Sequence, residues 1–243
     1  MITQVVVLAG GTATRMRPIT EKIPKALIPI DEEKNLPFAH FQAIWLAKQG
    51  LKYVIFSIGY RGEMIRDYLG DGKRYGLEIQ YVEDGPMLLG TGGAVRKIHD
   101  ANLLNESFFV TYGDSFLPID HRAVGTSFLK GKAPALMTVI RNEGKWDSSN
   151  AECEGGLVVR YDKRKDLPGK DRMKYIDYGL LAFRRETIAA YVNESDLAPP
   201  LTRLAEARKL AAYESHERFY EIGSPPGLAD FRKLVRDRPE RFT

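Results

Sequence analysis

The stretch that decides the fold lies near the start of the chain and reads Val5-Val6-Val7-Leu8-Ala9-Gly10-Gly11. A short apolar, β-branched run of this kind is typical of a strand that is buried on both faces, as the strands of parallel sheets are. The two glycines that close the run predict a tight loop with exposed backbone N–H groups. We therefore expect the first central strand of an α/β sheet, followed by a loop that can meet an anion.

The residues that follow alternate between helical and extended patterns. They predict helices between Pro37 and Gly50 and over 63–69 and 94–98, and strands over 53–58, 77–82, 108–112 and 135–140. This strand–helix–strand order implies a parallel sheet. Gly90, Gly92 and Gly93 are expected to interrupt the chain just before the helix over 94–98.

The second half of the chain predicts a change in the sheet. Gly155-Gly156 has the sequence of a hairpin turn, so we expect the sheet to become mixed there. The later patterns predict a strand over 179–183, helices over 201–212 and 227–236, and a short strand over 219–222. The expected fold class is α/β, with a mostly parallel, partly mixed central sheet flanked by helices.

Length and composition narrow the class of protein. The chain has 243 residues, of which 44% are hydrophobic and 28% charged, and these values exclude a disordered, collagen-like or coiled-coil chain. Because no repeat or low-complexity linker is visible, we expect a single domain over residues 1–243. The single cysteine, Cys153, excludes an internal disulfide and, with four histidines, a closed Cys/His zinc site.

Charge and hydropathy indicate which partners to expect. The formal net charge of +4 suits a phosphorylated small molecule, and it is not concentrated into the tail or stripe that would follow nucleic acid. We therefore expect no nucleic-acid partner. Residues 1–4 lack a positive charge and the apolar run 5–9 is far too short to span a bilayer, so we expect no membrane anchor and a cytoplasmic location.

The glycine loop is the first candidate for chemistry. Gly10 and Gly11 are followed by Arg15 and Arg17. In open α/β sheets ligands lie beyond the carboxyl ends of the strands, where backbone N–H groups and a guanidinium can bind phosphate. The alternative is an ordinary tight turn with solvated arginines. The loop matches neither the P-loop nor the three-glycine dinucleotide fingerprint.

Two further charged residues are candidates for the same edge of the sheet. Lys25 lies between Pro24 and Pro29, which predict a stiff extended loop, and Asp114 follows the strand over 108–112. An ammonium suits a phosphate oxygen, and a carboxylate suits Mg²⁺. Taken singly, a solvated lysine and an aspartate that caps the next segment are the alternatives.

Taken in order, these motifs resemble one family. The N-terminal part contains Leu8-Ala9-Gly10-Gly11, Arg15-Met16, Pro18, Thr20 and Pro24-Lys25. The match continues with Leu89-Gly90-Thr91-Gly92-Gly93-Ala94, Gly113-Asp114, Tyr161-Asp162-Lys163, Asp177-Tyr178-Gly179 and Glu221-Ile222-Gly223. In this order the chain resembles the sugar-1-phosphate nucleotidylyltransferases, also called NDP-sugar pyrophosphorylases. It is most similar to the short bacterial enzymes for manno-heptose, mannose or N-acetylmuramic acid 1-phosphates, and no C-terminal β-helix is expected.

The resemblance implies a Rossmann-like nucleotide-binding fold and the synthesis of an NDP-sugar. In this family an NTP and a sugar 1-phosphate share one cleft with Mg²⁺, the sugar phosphate oxygen attacks the α-phosphorus, and pyrophosphate leaves. The expected partners are therefore these two substrates, and a homo-oligomer stays open.

The resemblance also implies a role for each motif residue. Catalytic roles fall to Arg15 at the β- and γ-phosphates, Lys25 at the reacting phosphates and Lys163 at the phosphate of the sugar. The residues expected to bind the nucleotide are Leu8, Ala9, Gly10, Gly11, Thr12, Gly90, Thr91 and Gly92. Sugar hydroxyls are expected on Asp162, Asp177 and Gly179, and the metal on Asp114 and Glu221. For Asp162 and Lys163 a solvated, charge-rich loop is the alternative.

Two positions depart from the family pattern. Ala13 stands where most members have glycine, so the loop is strained if its backbone needs a positive φ there. Glu221 stands where relatives usually carry aspartate, and Asp177 is its competitor as second metal ligand.

Two other functions remain open from the sequence. One is a non-catalytic nucleotide-sugar sensor. The other is transfer to a non-sugar phosphate such as phosphocholine or a phosphonate, for which Trp146, Tyr161 and Tyr178 could form an aromatic cage. The sequence leaves the nucleobase and the sugar undecided.

Overall fold

The computed structural model describes residues 1–85, 87–146, 148–164 and 168–243. These residues form two compact units that are interleaved along the chain. The first, here called the glycine-loop unit, comprises Thr3–Gly90, Thr111–Phe116 and Phe219–Thr243. The second, here called the hairpin unit, comprises Met1–Ile2, Thr91–Val110 and Leu117–Arg218.

Strands and helices alternate along most of the described chain. The strands are β1 (Gln4–Ala9), β2 (Pro29–Asp31), β3 (Leu36–Pro37), β4 (Tyr53–Ile58), β5 (Glu78–Glu83), β6 (Ser107–Tyr112), β7 (Ser115–Phe116), β8 (Ala135–Arg141), β9 (Ala151–Glu154), β10 (Leu157–Tyr161), β11 (Tyr175–Arg184), β12 (Leu210–Ser215) and β13 (Tyr220–Glu221). The α-helices are α1 (Phe38–Lys48), α2 (Gly62–Leu69), α3 (Gly90–Asp100), α4 (His121–Lys130), α5 (Arg185–Tyr191), α6 (Ala198–Glu206) and α7 (Pro225–Asp237). Among the helices described here, none has the length and apolar character needed to cross a membrane.

The glycine-loop unit contains the parallel part of the fold. Its strands β5, β4 and β1 are neighbours in that order and run parallel, in a register that pairs Val6 with Ile55. Val5, Val6 and Val7 of β1 are fully buried, as expected for a parallel strand covered on both faces. Helix α1 begins directly after Pro37, and Gly50 follows its end with a φ of 80°. The first strand and the first helix are therefore confirmed.

The hairpin unit contains the mixed part of the fold. Its strand order is β6, β11, β8, β12, β10 and β9, in which β12 runs parallel to β8 and the other neighbours are antiparallel. Gly155 and Gly156 join β9 to β10 with φ values of 57° and 77°. Two successive positive φ angles are the signature of a type I′ hairpin turn, so the predicted hairpin is confirmed.

The helix expected over residues 201–212 is wrong in its second half. Helix α6 ends at Glu206, Arg208 takes a φ of 54°, and residues 210–215 form β12 instead. The segment is rich in alanine, lysine and leucine, which favour helix locally. Pairing of Leu210 with Ala135 and of the next five residues along β8 outweighs that preference.

Two further boundaries differ from the sequence-based expectation. Gly90, Gly92 and Gly93 do not interrupt the chain before a helix, because they lie in the first turn of α3. Strand β11 begins at Tyr175, so Asp177 lies inside a strand and not before one. Helices α4 and α5 have no counterpart among the predicted elements.

Candidate active site

The loop after β1 turns sharply at Ala13. This residue has φ 51° and ψ 42°, in the left-handed region that favours glycine. Its carbonyl oxygen accepts hydrogen bonds from the backbone N–H of Met16 (3.0 Å) and from Thr20 Oγ1 (2.8 Å). The positive φ considered from the sequence is therefore present, and the turn that it creates places Arg15 on the following 3₁₀ turn, Thr14–Met16.

The predicted nucleotide residues of this loop lie where a ligand could approach. Leu8 and Ala9 end β1 and are half-buried, as is Thr12. A side chain placed on Gly11 would meet no atom within 4 Å, so the backbone of Gly11 faces open space. Gly10 is enclosed, because a Cβ there would lie 2.5 Å from Asp84 Oδ2.

Lys25 and Asp114 come together directly. The ammonium Nζ of Lys25 lies 2.6 Å from Asp114 Oδ2, and both side chains are about a quarter exposed or less. The Ser115 hydroxyl donates to the other carboxylate oxygen of Asp114 at 3.2 Å. Lys25 begins a single 3₁₀ turn, Lys25–Leu27, and not a fully extended loop. The sequence placed these two residues at one sheet edge, and the glycine-loop unit contains them as an ion pair.

Glu221 belongs to the same cluster. Strand β13 pairs with β7 so that Glu221 lies opposite Ser115, the neighbour of Asp114. A Cβ built on Gly223 would lie 2.8 Å from Glu221 Oε2, 3.3 Å from Arg15 Nη2 and 3.4 Å from Asp114 Oδ2. Three charged side chains thus surround the α-carbon of one glycine. Glu221 is only partly exposed, and its oxygens accept hydrogen bonds from Gly223 N and Ser224 Oγ, each 2.5 Å long.

Arg15 also lines a groove on the surface of the glycine-loop unit. The groove has a volume of about 630 Å³, and its guanidinium groups come from Arg15, Arg17, Arg232 and Arg236. Among the described residues, no aspartate or glutamate lines it. Arg232 is held in place by Pro29 O at 2.7 Å and by Glu32 at 2.8 Å. Four guanidinium groups therefore line the surface beside the cluster, and two of them, those of Arg232 and Arg236, have carboxylate partners.

The residues predicted to meet the sugar lie in the hairpin unit. Asp177 accepts hydrogen bonds from Tyr161 OH (3.0 Å) and from the backbone N–H of Gly179 (3.0 Å). Gly179 has a φ of 103° at a register shift in β11. Burial raises the pKa of Asp177, while the charge of Lys163 and the tyrosine hydroxyl act in the opposite direction.

Lys163 and Asp162 are placed differently from each other. Lys163 is exposed, with its ammonium 5.9 Å from the centre of the Tyr161 ring. Asp162 forms a bidentate pair with the guanidinium of Arg164, which holds the pKa of that carboxyl below its usual range. Asp162 therefore already has a cationic partner, whereas the Lys163 ammonium remains accessible.

Thr91 and Gly92 have structural contacts that the sequence did not suggest. Thr91 Oγ1 donates to Asp196 Oδ1 (3.2 Å) and accepts from Leu197 N (2.9 Å). The N–H of Gly92 donates to Ser195 O at 2.8 Å, and a side chain on Gly92 would overlap the carbonyl oxygen of Glu194. These two residues hold the chain ahead of α6 in place. Gly90, the third member of the motif, lies in the glycine-loop unit with a φ of 72°.

Comparison with known proteins agrees with this arrangement of motifs. Residues 4–149 match the family described as nucleotidyl transferase. The chain belongs to the nucleotidyl transferase family. It is 36% identical over 137 residues to D-glycero-alpha-D-manno-heptose 1-phosphate guanylyltransferase of Aneurinibacillus thermoaerophilus. The aligned region covers 56% of this chain and 56% of that protein. The chain is 37% identical over 247 residues to mannose-1-phosphate guanylyltransferase of Mycobacterium tuberculosis, covering 96% of this chain and 66% of that protein.

The fold of this chain is also found among solved structures. The crystal structure of HddC from Yersinia pseudotuberculosis matches 96% of this chain and 100% of that chain with a TM-score of 0.78. At 20% identity this likeness shows the fold alone. The expected Rossmann-like α/β fold is confirmed.

The carboxylate pair of this nucleotidyl transferase can be tested against the needs of a metal. Mg²⁺ is commonly held by one or two carboxylates, while substrate phosphates and water complete its six oxygen ligands. Asp114 and Glu221 offer two carboxylates beside one glycine α-carbon. In the part of the chain that the structure describes, no group of three or more His, Cys, Asp or Glu could hold a metal. The pair can therefore supply two of the six ligands of such a cation, and water or a bound nucleotide would supply the others.

Sequence reasoning missed Asp84. This carboxylate is 7% exposed, accepts from Ser57 Oγ (3.2 Å) and from Leu89 N (3.4 Å), and lies against Gly10. It links the end of β5 to the glycine loop. In the sequence Glu83-Asp84-Gly85 resembles an ordinary turn, so only the burial of Asp84 reveals its role.

Proposed function

We propose that this nucleotidyl transferase makes an NDP-sugar and pyrophosphate from an NTP and a sugar 1-phosphate. The observation that carries the proposal is the cluster of Arg15, Lys25, Asp114 and Glu221 around the end of the glycine loop. Two cationic and two anionic side chains at such a loop suit a triphosphate and a cation. Residues 1–243 then act as one catalytic domain, as the order of motifs predicts.

The residues of the glycine-loop unit would divide the work on the NTP. The open backbone at Gly11 approaches the nucleotide, and Arg15 neutralises the β- and γ-phosphates, with the arginine-lined groove beside it favouring the triphosphate end. Lys25 exchanges its contact with Asp114 for the reacting phosphates when the NTP arrives. Asp114 and Glu221 would then hold Mg²⁺, which supplies charge neutralisation for the departing pyrophosphate.

The residues of the hairpin unit would receive the acceptor. Lys163, with its accessible ammonium, binds the phosphate of the sugar, and Asp177, held by Tyr161 and Gly179, accepts a hydrogen bond from a sugar hydroxyl. The oxygen of the sugar phosphate attacks the α-phosphorus while pyrophosphate leaves from the opposite side. Catalysis consists of positioning and charge neutralisation, since phosphoryl chemistry needs little covalent work by the protein.

The names of two relatives support a choice of substrates. Both relatives described above are named guanylyltransferases, one for a manno-heptose 1-phosphate and one for mannose 1-phosphate. We therefore propose GTP and a manno-configured sugar 1-phosphate. A panel of five NTPs against manno-heptose, mannose, glucose and N-acetylmuramic acid 1-phosphates, scored by pyrophosphate release, tests this choice; equal or greater turnover with another pair would replace it.

The structure disfavours a cationic, non-sugar acceptor. An aromatic cage for phosphocholine needs exposed ring faces. Tyr161 and Tyr178 are 0% and 1% exposed, and the hydroxyl of Tyr161 is bonded to Asp177. These two rings belong to the core, and of the three aromatic residues considered for a cage only Trp146 is partly exposed.

The decisive variant is Asp114→Asn, which keeps the shape of the side chain and removes its charge. We expect loss of Mg²⁺-dependent pyrophosphate release with an unchanged melting temperature, because the carboxylate is needed to hold the cation. Asp100→Asn, at the exposed end of α3, is the matched control and should keep full activity. Turnover of Asp114→Asn within about threefold of wild type would remove Asp114 from the site.

A further inference from the structure

One buried glutamine forms hydrogen bonds with the turn that contains Asp114. Gln42 lies on α1 and is 2% exposed. Its side-chain Nε2 donates to the carbonyl oxygens of Tyr112 (2.9 Å) and Ser115 (3.0 Å). These carbonyls stand on either side of Gly113 and Asp114, so a single amide group spans the whole turn. Both N–H bonds of the amide are used.

Other backbone contacts hold the same turn from different directions. The N–H of Gly113 donates to Leu8 O at 2.9 Å, and the carbonyl oxygen of Asp114 accepts from Ile222 N at 3.0 Å. Ser115, whose carbonyl oxygen accepts the hydrogen bond from Gln42, also lies opposite Glu221 in the pairing of β7 with β13. The contacts of Gln42 therefore bear on the position of both carboxylates.

Stability alone does not explain a glutamine at this position. The buried neighbours on α1 include Phe38, Phe41, Ala43 and Leu46, all apolar. Among the described residues, Gln42 Oε1 is buried without a hydrogen-bond partner, which costs free energy. A methionine of similar size would avoid that cost. What methionine cannot supply is a pair of donors aimed at the two carbonyls.

We propose that Gln42 is a positioning residue for the metal-binding carboxylates, acting through the backbone on either side of Asp114. The expected effect of Gln42 on the Mg²⁺ activation constant rests on the proposed function, whereas its effect on metal binding can be measured without turnover. Groups that orient a metal ligand commonly change metal affinity by about 10- to 100-fold when they are removed.

The test compares two variants. Gln42→Met removes both N–H donors, and Gln42→Glu keeps the shape of the side chain but places a carboxylate oxygen, which cannot donate, against the carbonyl oxygens of Tyr112 and Ser115. Leu46→Ala, also buried on α1, is the control for loss of packing alone. Binding of Mn²⁺ alone, followed by electron paramagnetic resonance against an Asp114→Asn background, reports the carboxylate site. The Mg²⁺ activation constant, both substrate KM values and the melting temperature complete the measurement.

We expect Gln42→Met to melt earlier, because the carbonyl oxygens of Tyr112 and Ser115 lose this donor. The Mn²⁺ dissociation constant and the Mg²⁺ activation constant should rise about tenfold, with the sugar-phosphate KM unchanged. Gln42→Glu should raise the Mn²⁺ dissociation constant at least as much. Leu46→Ala should melt earlier and bind Mn²⁺ as wild type does.

Three results would overturn the proposal. The first is wild-type Mn²⁺ affinity in both Gln42 variants. The second is a loss of Mn²⁺ affinity in Leu46→Ala as large as in the Gln42 variants, and the third is no Mn²⁺ binding by wild type above the Asp114→Asn background. A wild-type protein that binds Mn²⁺ through Asp114 but releases no pyrophosphate would instead refute the proposed function and leave the role of Gln42 standing.

Discussion

A single alanine in the glycine loop occupies a backbone conformation that glycine adopts without strain. With φ 51° and ψ 42°, Ala13 carries a cost of about 1 kcal/mol relative to glycine. We expect Ala13→Gly to raise the free energy of unfolding by that amount in urea titrations. Ala189→Gly, the same change on the exposed face of α5, should lower it by about 1 kcal/mol because glycine is poor in helices. A loss of stability in Ala13→Gly would show that alanine suits this turn.

A buried histidine makes stability depend on pH. Burial lowers the pKa of His121 to about 4, and a ring N–H at Nδ1 donates to Ile119 O at 2.9 Å. Because the unfolded chain has the higher pKa, about 6.5, it binds the proton first, and stability is complete above pH ~6.5 and falls as pH drops toward ~4. The full loss is about 3 kcal/mol.

We expect His121→Asn, whose amide can replace the Nδ1 donor, to flatten this dependence. Urea titrations at pH 7, 5.5 and 4 measure it, and His216→Asn, on an exposed histidine, is the control that should keep the wild-type slope. An unchanged slope in His121→Asn would contradict the assignment.

At the scale of elements, the turn from β13 into α7 joins the site to the fold. Ser224 caps α7 by accepting from Gly227 N, and its hydroxyl donates to Glu221 Oε1. Glu221 thus has a structural partner as well as a place beside Asp114. A carboxylate shortened by one methylene would lose its reach toward a cation that requires octahedral geometry.

Glu221→Asp should therefore raise the Mg²⁺ activation constant about tenfold. Ser224→Ala, which removes the hydroxyl that donates to Glu221 Oε1, should raise the constant as well and cost about 1 kcal/mol of stability. Asp177→Asn addresses the competing ligand. If Asp177→Asn shifted the constant and Glu221→Asp did not, Asp177 would be the second metal ligand.

The elements that could be predicted from sequence are those whose signals are local. The apolar run of β1, the proline before α1 and the two glycines of the hairpin each act within a few residues. Strand β12 could not be predicted, because its strand conformation comes from pairing with β8, more than 70 residues away. Local propensity there favours helix, and tertiary pairing overrides it.

For the whole molecule, the residues of the candidate site also divide into those that local sequence signals predict and those that depend on tertiary contacts. Lys25 and Asp114 could be placed at one edge of the sheet in advance, because ligands of open α/β sheets bind there. Their direct ion pair was not predicted. Asp84 and Gln42 could not be placed in advance, because each acts through burial and through backbone groups distant in sequence. Gln42 is polar within the largely apolar sequence of α1, but so is His40, so the sequence does not single out Gln42.

The two lysines proposed to act on the substrates lie in different units, and this division predicts distinct kinetic defects. Lys25 contacts Asp114 in the glycine-loop unit, while Lys163 is exposed beside Tyr161 in the hairpin unit. Lys25→Ala should lower kcat and raise the KM for the NTP by about tenfold or more, since it removes charge from the reacting phosphates. Lys163→Ala should raise the KM for the sugar 1-phosphate by a similar factor and leave the KM for the NTP near wild type, because it removes a protein charge that is proposed to contact only the sugar phosphate. Lys130→Ala, on the exposed end of α4, controls for the change in net charge. Initial rates with each substrate varied in turn measure both constants; a Lys163→Ala protein with unchanged sugar-phosphate KM and kcat would return Lys163 to the status of a solvated surface lysine.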